Sequence, residues 1–156
     1  MSQGLRPLAL AAILVLGLPA SPPAATTEQI VTDSKTGLAL NGVDPVAYFT
    51  DGTPVAGLPE HEVRYAGAVW RFRNPGNLAA FMADPEVYMP RYGGYDAVAM
   101  GRGVAVPGNP LVWAITGQRL YLFFSEAART RFMAEPDEAI FLADNKWPAI
   151  MKTLVR

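Results

Sequence analysis

Phe81-Met82-Ala83-Asp84-Pro85-Glu86 returns later in the chain as Phe132-Met133-Ala134-Glu135-Pro136-Asp137, an offset of 51 residues (81 to 132). The match extends outward: Phe72 falls on Phe123, Trp70 on Tyr121, and Asn74 on Ser125. Residues 68–88 are therefore duplicated as 119–139. Each copy predicts an extended segment (62–66 and 112–116), a glycine turn (Gly67 and Gly117) and a second strand. A capped helix then runs over 75–84 or 126–135 and stops before a proline, because the residue preceding a proline is pushed out of the helical region. Leu78, Phe81 and Met82 share one helix face at i, i+3 and i+4, and Phe132 and Met133 repeat it, so these positions are expected in the core. A lone two-stranded hairpin is marginal in water, so the expectation is α+β: duplicated β-hairpin-plus-helix units forming one small compact domain. Two copies are too few for a solenoid.

The flanks add detail. Asp44 is a good N-cap and Pro45 suits the first helical position, predicting a short helix over 45–50. Between the copies, residues 88–101 bring Tyr88, Tyr92 and Tyr95 together with the adjacent Gly93 and Gly94. Residues 95–100 read as a short helix capped by Asp96, and 101–110, rich in glycine and proline, as a loop.

At 156 residues, with 51% hydrophobic and 17% charged, the chain has the material for one globular domain. It has no cysteine, which removes disulfides, thiolate metal sites and cysteine nucleophiles. A net charge of -1 gives no electrostatic basis for nucleic-acid binding. Residues 1–20 have the layout of a secretory signal peptide: Arg6, an apolar run over 8–18, and Pro19-Ala20-Ser21 at the exit. The run is shorter than the ~20 residues that span a bilayer. Cleavage is expected after Ala20, with Ala24 or Ala25 as alternatives, leaving a lead segment over 21–36 and a domain over 37–156. The expected location is periplasmic or secreted, with no stable membrane anchor after cleavage.

Six pieces together resemble the YHS domain proteins, in particular their small exported members. They are residues 41–49 (Asn-Gly-Val-Asp-Pro-Val-Ala-Tyr-Phe), 67–85, 88–96 with Tyr92-Gly93-Gly94-Tyr95, 107–113, 117–123 and 143–148. The resemblance implies a small α+β domain of heavy-metal handling contexts, presumed to bind metal, with no established enzymatic activity in the exported branch. Two departures stand out. Asp96 occupies the place of a usual cysteine, and Phe72-Arg73-Asn74 stands where the metal-linked branch has Phe-Cys-Ser. Soft ligation of copper(I) or zinc by thiolate fails at both positions, leaving a harder or mixed site.

Ligand-binding candidates are accordingly Asp44, Tyr48, Tyr88, Tyr92, Gly93, Gly94, Tyr95 and Asp96. For a metal ion, the one cofactor class in view, the candidates are Asp96 and His61, the sole histidine, flanked by Glu60 and Glu62. Met89 and Met100 are thioethers that would complete a mixed site with His61. Each has a plainer reading: His61 as a polar strand residue, Asp96 as a helix cap, the methionines as core. Gly101-Arg102-Gly103 lacks the context of a dinucleotide site, and no serine sits in a nucleophile elbow, so no enzyme is expected. The leading expectation is an exported non-catalytic binding module, and the alternative an envelope protein-protein interaction or assembly factor without metal. Trp147 is either an anchor for such a protein partner or an aromatic closing the core.

Overall fold

The structure, a computed structural model, describes residues 28–155. The signal-peptide expectation lies outside them. The chain forms α1 (Ala47–Thr50), β1 (Leu58–Tyr65), β2 (Ala68–Phe72), α2 (Pro75–Ala83), α3 (Pro85–Tyr88), α4 (Ala97–Gly101), β3 (Asn109–Thr116), β4 (Arg119–Phe123), α5 (Glu126–Ala134) and α6 (Pro136–Met151). β1 pairs antiparallel with β2, and β3 with β4. This is the expected α+β architecture.

The duplication is deeper than the sequence alone displays. Both hairpins close with two left-handed residues, Ala66 and Gly67 in the first and Gly117 and Gln118 in the second, the geometry that matches strand twist. Both carry the same register slip, between Leu58 and Glu62 and between Asn109 and Trp113. α2 is capped by Asn74, whose Oδ1 accepts from the Asn77 N–H at 2.8 Å; Ser125 Oγ accepts from the Ala128 N–H at 3.3 Å to cap α5. Upstream, where one extra residue makes the offset 52 for positions 40–50, Leu40-Asn41-Gly42 and Tyr92-Gly93-Gly94 are matching left-handed triplets with φ between 53° and 91°. Each is fastened alike: Gly57 N–H donates to the Gly42 carbonyl at 2.8 Å, and Gly108 N–H to the Gly94 carbonyl at 2.9 Å. One unit thus runs from Leu40 to Tyr88 and its copy from Tyr92 to Ala139.

Two cores result, and β4 lies between them. Trp70, Phe72 and Phe81 fill the first; Tyr121, Phe123 and Phe132 occupy the equivalent places in the second. The alternate β4 residues, Leu120 and Leu122, turn the other way and join the first core, with Trp113 and Ile115 of β3 beside them. The second hairpin is therefore apolar on both faces. The first is not: opposite Leu122, Trp113 and Ile115 in the alignment stand Arg71, Glu62 and Arg64, and Arg71 Nε pairs with Glu62 Oε2 at 3.0 Å in partial solvent exposure.

Several expectations need correction. Met82 and Met133 are 46% and 53% exposed, so Phe81 and Phe132 are the buried anchors of their helices, with Leu78 packed against the first core as expected; each methionine follows the anchor by one residue and swings about 100° around the helix. β1 and β3 begin earlier than expected, because the slip lets residues 58 and 109 rejoin the ladder beyond the irregular stretch. Residues 28–31, expected in the lead, already belong to the fold: Gln29 N–H donates to Val155 O and Val31 N–H to Gly93 O, each at 2.8 Å. Chain continues helical past Pro136 as α6, since proline is tolerated at a first helical turn. Trp147 of α6 packs against Tyr92 and Tyr95, with ring centroids 6.0 and 6.4 Å apart.

Candidate functional site

Asp44 and Asp96 are the buried carboxylates, 0% and 2% exposed, and they hold equivalent places in the two units. Asp44 Oδ1 accepts from the main-chain N–H of Val46 and Ala47, at 2.8 and 3.3 Å. Its Oδ2 accepts from the Arg73 N–H at 2.8 Å and from Asn77 Nδ2 at 2.7 Å. Asp96 does the same with fewer donors: Oδ1 takes the Ala99 N–H at 2.8 Å and Oδ2 the Phe124 N–H at 2.7 Å. Arg73 and Phe124 are themselves equivalent positions. With one oxygen Asp96 caps α4 and Asp44 holds the turn that leads into α1, which starts at Ala47 rather than at Pro45; with the other, each ties its helix to the strand-to-helix corner. Each oxygen of both groups accepts at least one hydrogen bond from inside the fold.

The tyrosines do not converge on Asp96. The Tyr48 hydroxyl donates to Pro110 O at 2.8 Å, Tyr92 to Asp144 Oδ1 at 2.9 Å, and Tyr95 to Glu28 O at 2.6 Å. Burial pushes the Tyr48 phenol far above its usual range, and burial with the Asp144 carboxylate does the same to Tyr92. These are neutral structural phenols rather than acids ready for transfer. Tyr88 is half-buried and meets Phe49 edge-on, with centroids 5.4 Å apart. Gly93 and Gly94 serve close packing: a Cβ on Gly93 would collide with the Gln29 carbonyl, and one on Gly94 would touch Pro90, Val31 and Leu122.

The metal candidates are separated. His61 is a half-buried residue of β1 in the first unit, at the place of Val112 in the second, whereas Asp96 is buried at the start of α4. Met100 lies in the second core and Met89 packs on the first. Among the described residues no three His, Asp or Glu side chains gather as a metal would require. The metal ion implied by the resemblance does not fit this donor set, because the one acidic group at the expected position already satisfies main-chain donors.

Where the units differ, the second one presents new surface. Leu111 and Phe124 are 68% and 62% exposed, and their equivalents in the first unit are Glu60 and Arg73. A cavity of about 390 Å³ opens between α4, α5 and α6. Sequence reading passed over both features. Comparing Arg73 with Phe124 inside the 51-residue alignment, and carrying it back to residue 60, exposes the charge-to-apolar exchanges. Among the described residues, no helix is long and apolar enough to cross a membrane. No protein-family model, curated protein or solved structure matches the chain.

Proposed function

We propose that this chain is an exported, non-catalytic binding module of the YHS type that acts without a metal at the Asp96 position. The observation that supports it most directly is the commitment of all four oxygens of Asp44 and Asp96 to internal N–H donors. A carboxylate that must act as a base or metal ligand needs a free lone pair aimed at a cavity. Thermal unfolding of the metal-stripped chain with copper, zinc, iron or calcium tests this reading. The expected result is no ion-specific shift; an ion present at 100 times its dissociation constant would add about 2.7 kcal/mol and restore the metal reading.

A second reading, an envelope interaction or assembly factor, draws on Leu111 and Phe124. Large apolar side chains more than 60% exposed where the sister unit carries charge are a feature of interaction surfaces. Leu111→Glu with Phe124→Arg restores the first unit's residues; loss of association in sedimentation at an unchanged unfolding midpoint would favour this reading.

A further inference from the structure

The cavity between α4, α5 and α6 owes its existence to a difference between the two units. In the first unit, Phe49 at the end of α1 stacks edge-on against Tyr88, which closes that corner. Their equivalents are Gly101 and Ala139, and both line the cavity. Removal of two rings at one corner leaves room, and Gly101 lets α6 approach: a Cβ there would stand 3.1 Å from Leu142 Cβ. The volume of about 390 Å³ falls within the range of small-molecule sites.

The lining has an ordered chemistry. Val98, Ala134 and Leu142 supply apolar surface. Arg102 and Arg131 supply two guanidinium groups that make no ion pair or hydrogen bond among the described residues, in contrast to Arg71, Arg73, Arg91 and Arg129. Glu135 and Glu138 supply two neighbouring carboxyls on one rim, and the nearness of Glu135 raises Glu138 from its ordinary value. Three of these four positions are uncharged in the first unit, where Thr50, Ala80 and Val87 stand for Arg102, Arg131 and Glu138. Two cations without an ion pair, two neighbouring carboxyls without a cation and an apolar floor complement a molecule that carries all three characters.

We propose that this cavity binds a small zwitterion with an apolar body, of which an α-amino acid with an apolar side chain is the simplest case. The ligand carboxylate meets Arg102 and Arg131 as a planar anion suited to guanidinium geometry. Its ammonium sits between Glu135 and Glu138, where a cation relieves the repulsion of neighbouring carboxylates. Its side chain covers Val98, Ala134 and Leu142. This deepens the binding-module reading and rests on it only in requiring capture without turnover.

The test is titration of the purified chain with L-leucine and L-phenylalanine, followed by calorimetry and by amide chemical shifts. Saturable binding with shifts centred on Val98, Gly101 and Leu142 is the expected result. Isocaproate, which lacks the ammonium, and isoamylamine, which lacks the carboxylate, are expected to bind at least tenfold more weakly. Arg102→Gln with Arg131→Gln should weaken binding at least tenfold while leaving the unfolding midpoint unchanged, because both side chains are exposed. Equal binding of isocaproate, or no saturable binding of either amino acid at millimolar concentration, overturns the cavity assignment and leaves the binding-module reading in place. Conversion of the amino acid during incubation, read by mass spectrometry, overturns the binding-module reading instead.

Discussion

The two units share strand register, turn handedness, helix caps and buried aspartate, yet they face opposite demands. The first hairpin has one wet side, so β2 alternates as Ala68, Val69, Trp70, Arg71, Phe72, with a charge on the outer row. In the second, β4 is covered on both sides and reads Leu120, Tyr121, Leu122, Phe123, apolar without interruption. Strands buried on both faces lose the period-2 pattern, and that is what happened to one copy of an otherwise repeated design. Backbone geometry is common to the pair; outward-facing side chains carry their difference.

The sharpest way to break the comparison is to exchange those side chains. Leu122→Arg places the first unit's residue at a position 2% exposed between two cores, and should cost on the order of 4 kcal/mol or more, read by urea unfolding. An effect below 1 kcal/mol would mean that β4 is wetter than its packing indicates. Next come the aspartates. Asp44→Ala strands four donors and should cost about 3–5 kcal/mol, whereas Asp96→Ala strands two and should cost about 2–3 kcal/mol. A reversed order would show that Asp96 does more than cap.

Matched glycines sharpen the likeness rather than the contrast. A Cβ on Gly57 would stand 2.5 Å from Arg71 main-chain carbon, and one on Gly108 2.6 Å from Leu122 Cβ. Alanine at either site should destabilise by about 1–3 kcal/mol, with similar unfolding midpoints for the two variants. Alkaline titration separates the units again. Because burial raises the Tyr48 phenol, the unfolded chain ionises first, so stability present below about pH 10 is lost as pH rises further. Tyr92 adds to the same slope. The equivalent of Tyr48 is Met100, so Tyr48→Phe should flatten the first unit's share of that slope in pH-dependent urea midpoints, provided fold is retained. The smallest effect is the reciprocal exchange, Arg71→Leu, which removes a partly solvated ion pair and should change stability by about 0.5 kcal/mol or less.

The duplication, the hairpins and the capped helices were legible because they rest on local signals: Phe anchors, glycine turns, Asn74 and Ser125, and prolines at helix boundaries. α6 is not, because Pro136 in sequence signals a stop, although proline ends one helix and opens another with equal ease. Nor were the left-handed triplets, because Leu40 and Tyr92 adopt a conformation that favours glycine, and their fixation comes from distant partners. For the candidate site, reading Asp96 as a cap matched the local contact to Ala99. Its bond to Phe124, 28 residues away, is tertiary and could be inferred only by noticing that Asp44 and Arg73 form the same pair. The cavity was invisible for a related reason: it is defined by the rings that Gly101 and Ala139 do not have.

The position of β4 also governs how the molecule comes apart. Leu120 and Leu122 complete the first core while Tyr121 and Phe123 complete the second, so neither half can shed its partner and keep a closed interior. The amides of β4 should therefore exchange with deuterium only through global opening, whereas those near the slip in β1 escape through local fraying. A protein assembled from two similar halves thus behaves as one cooperative body, and a cut between Tyr88 and Tyr92 would yield fragments with more reason to find each other than to fold apart.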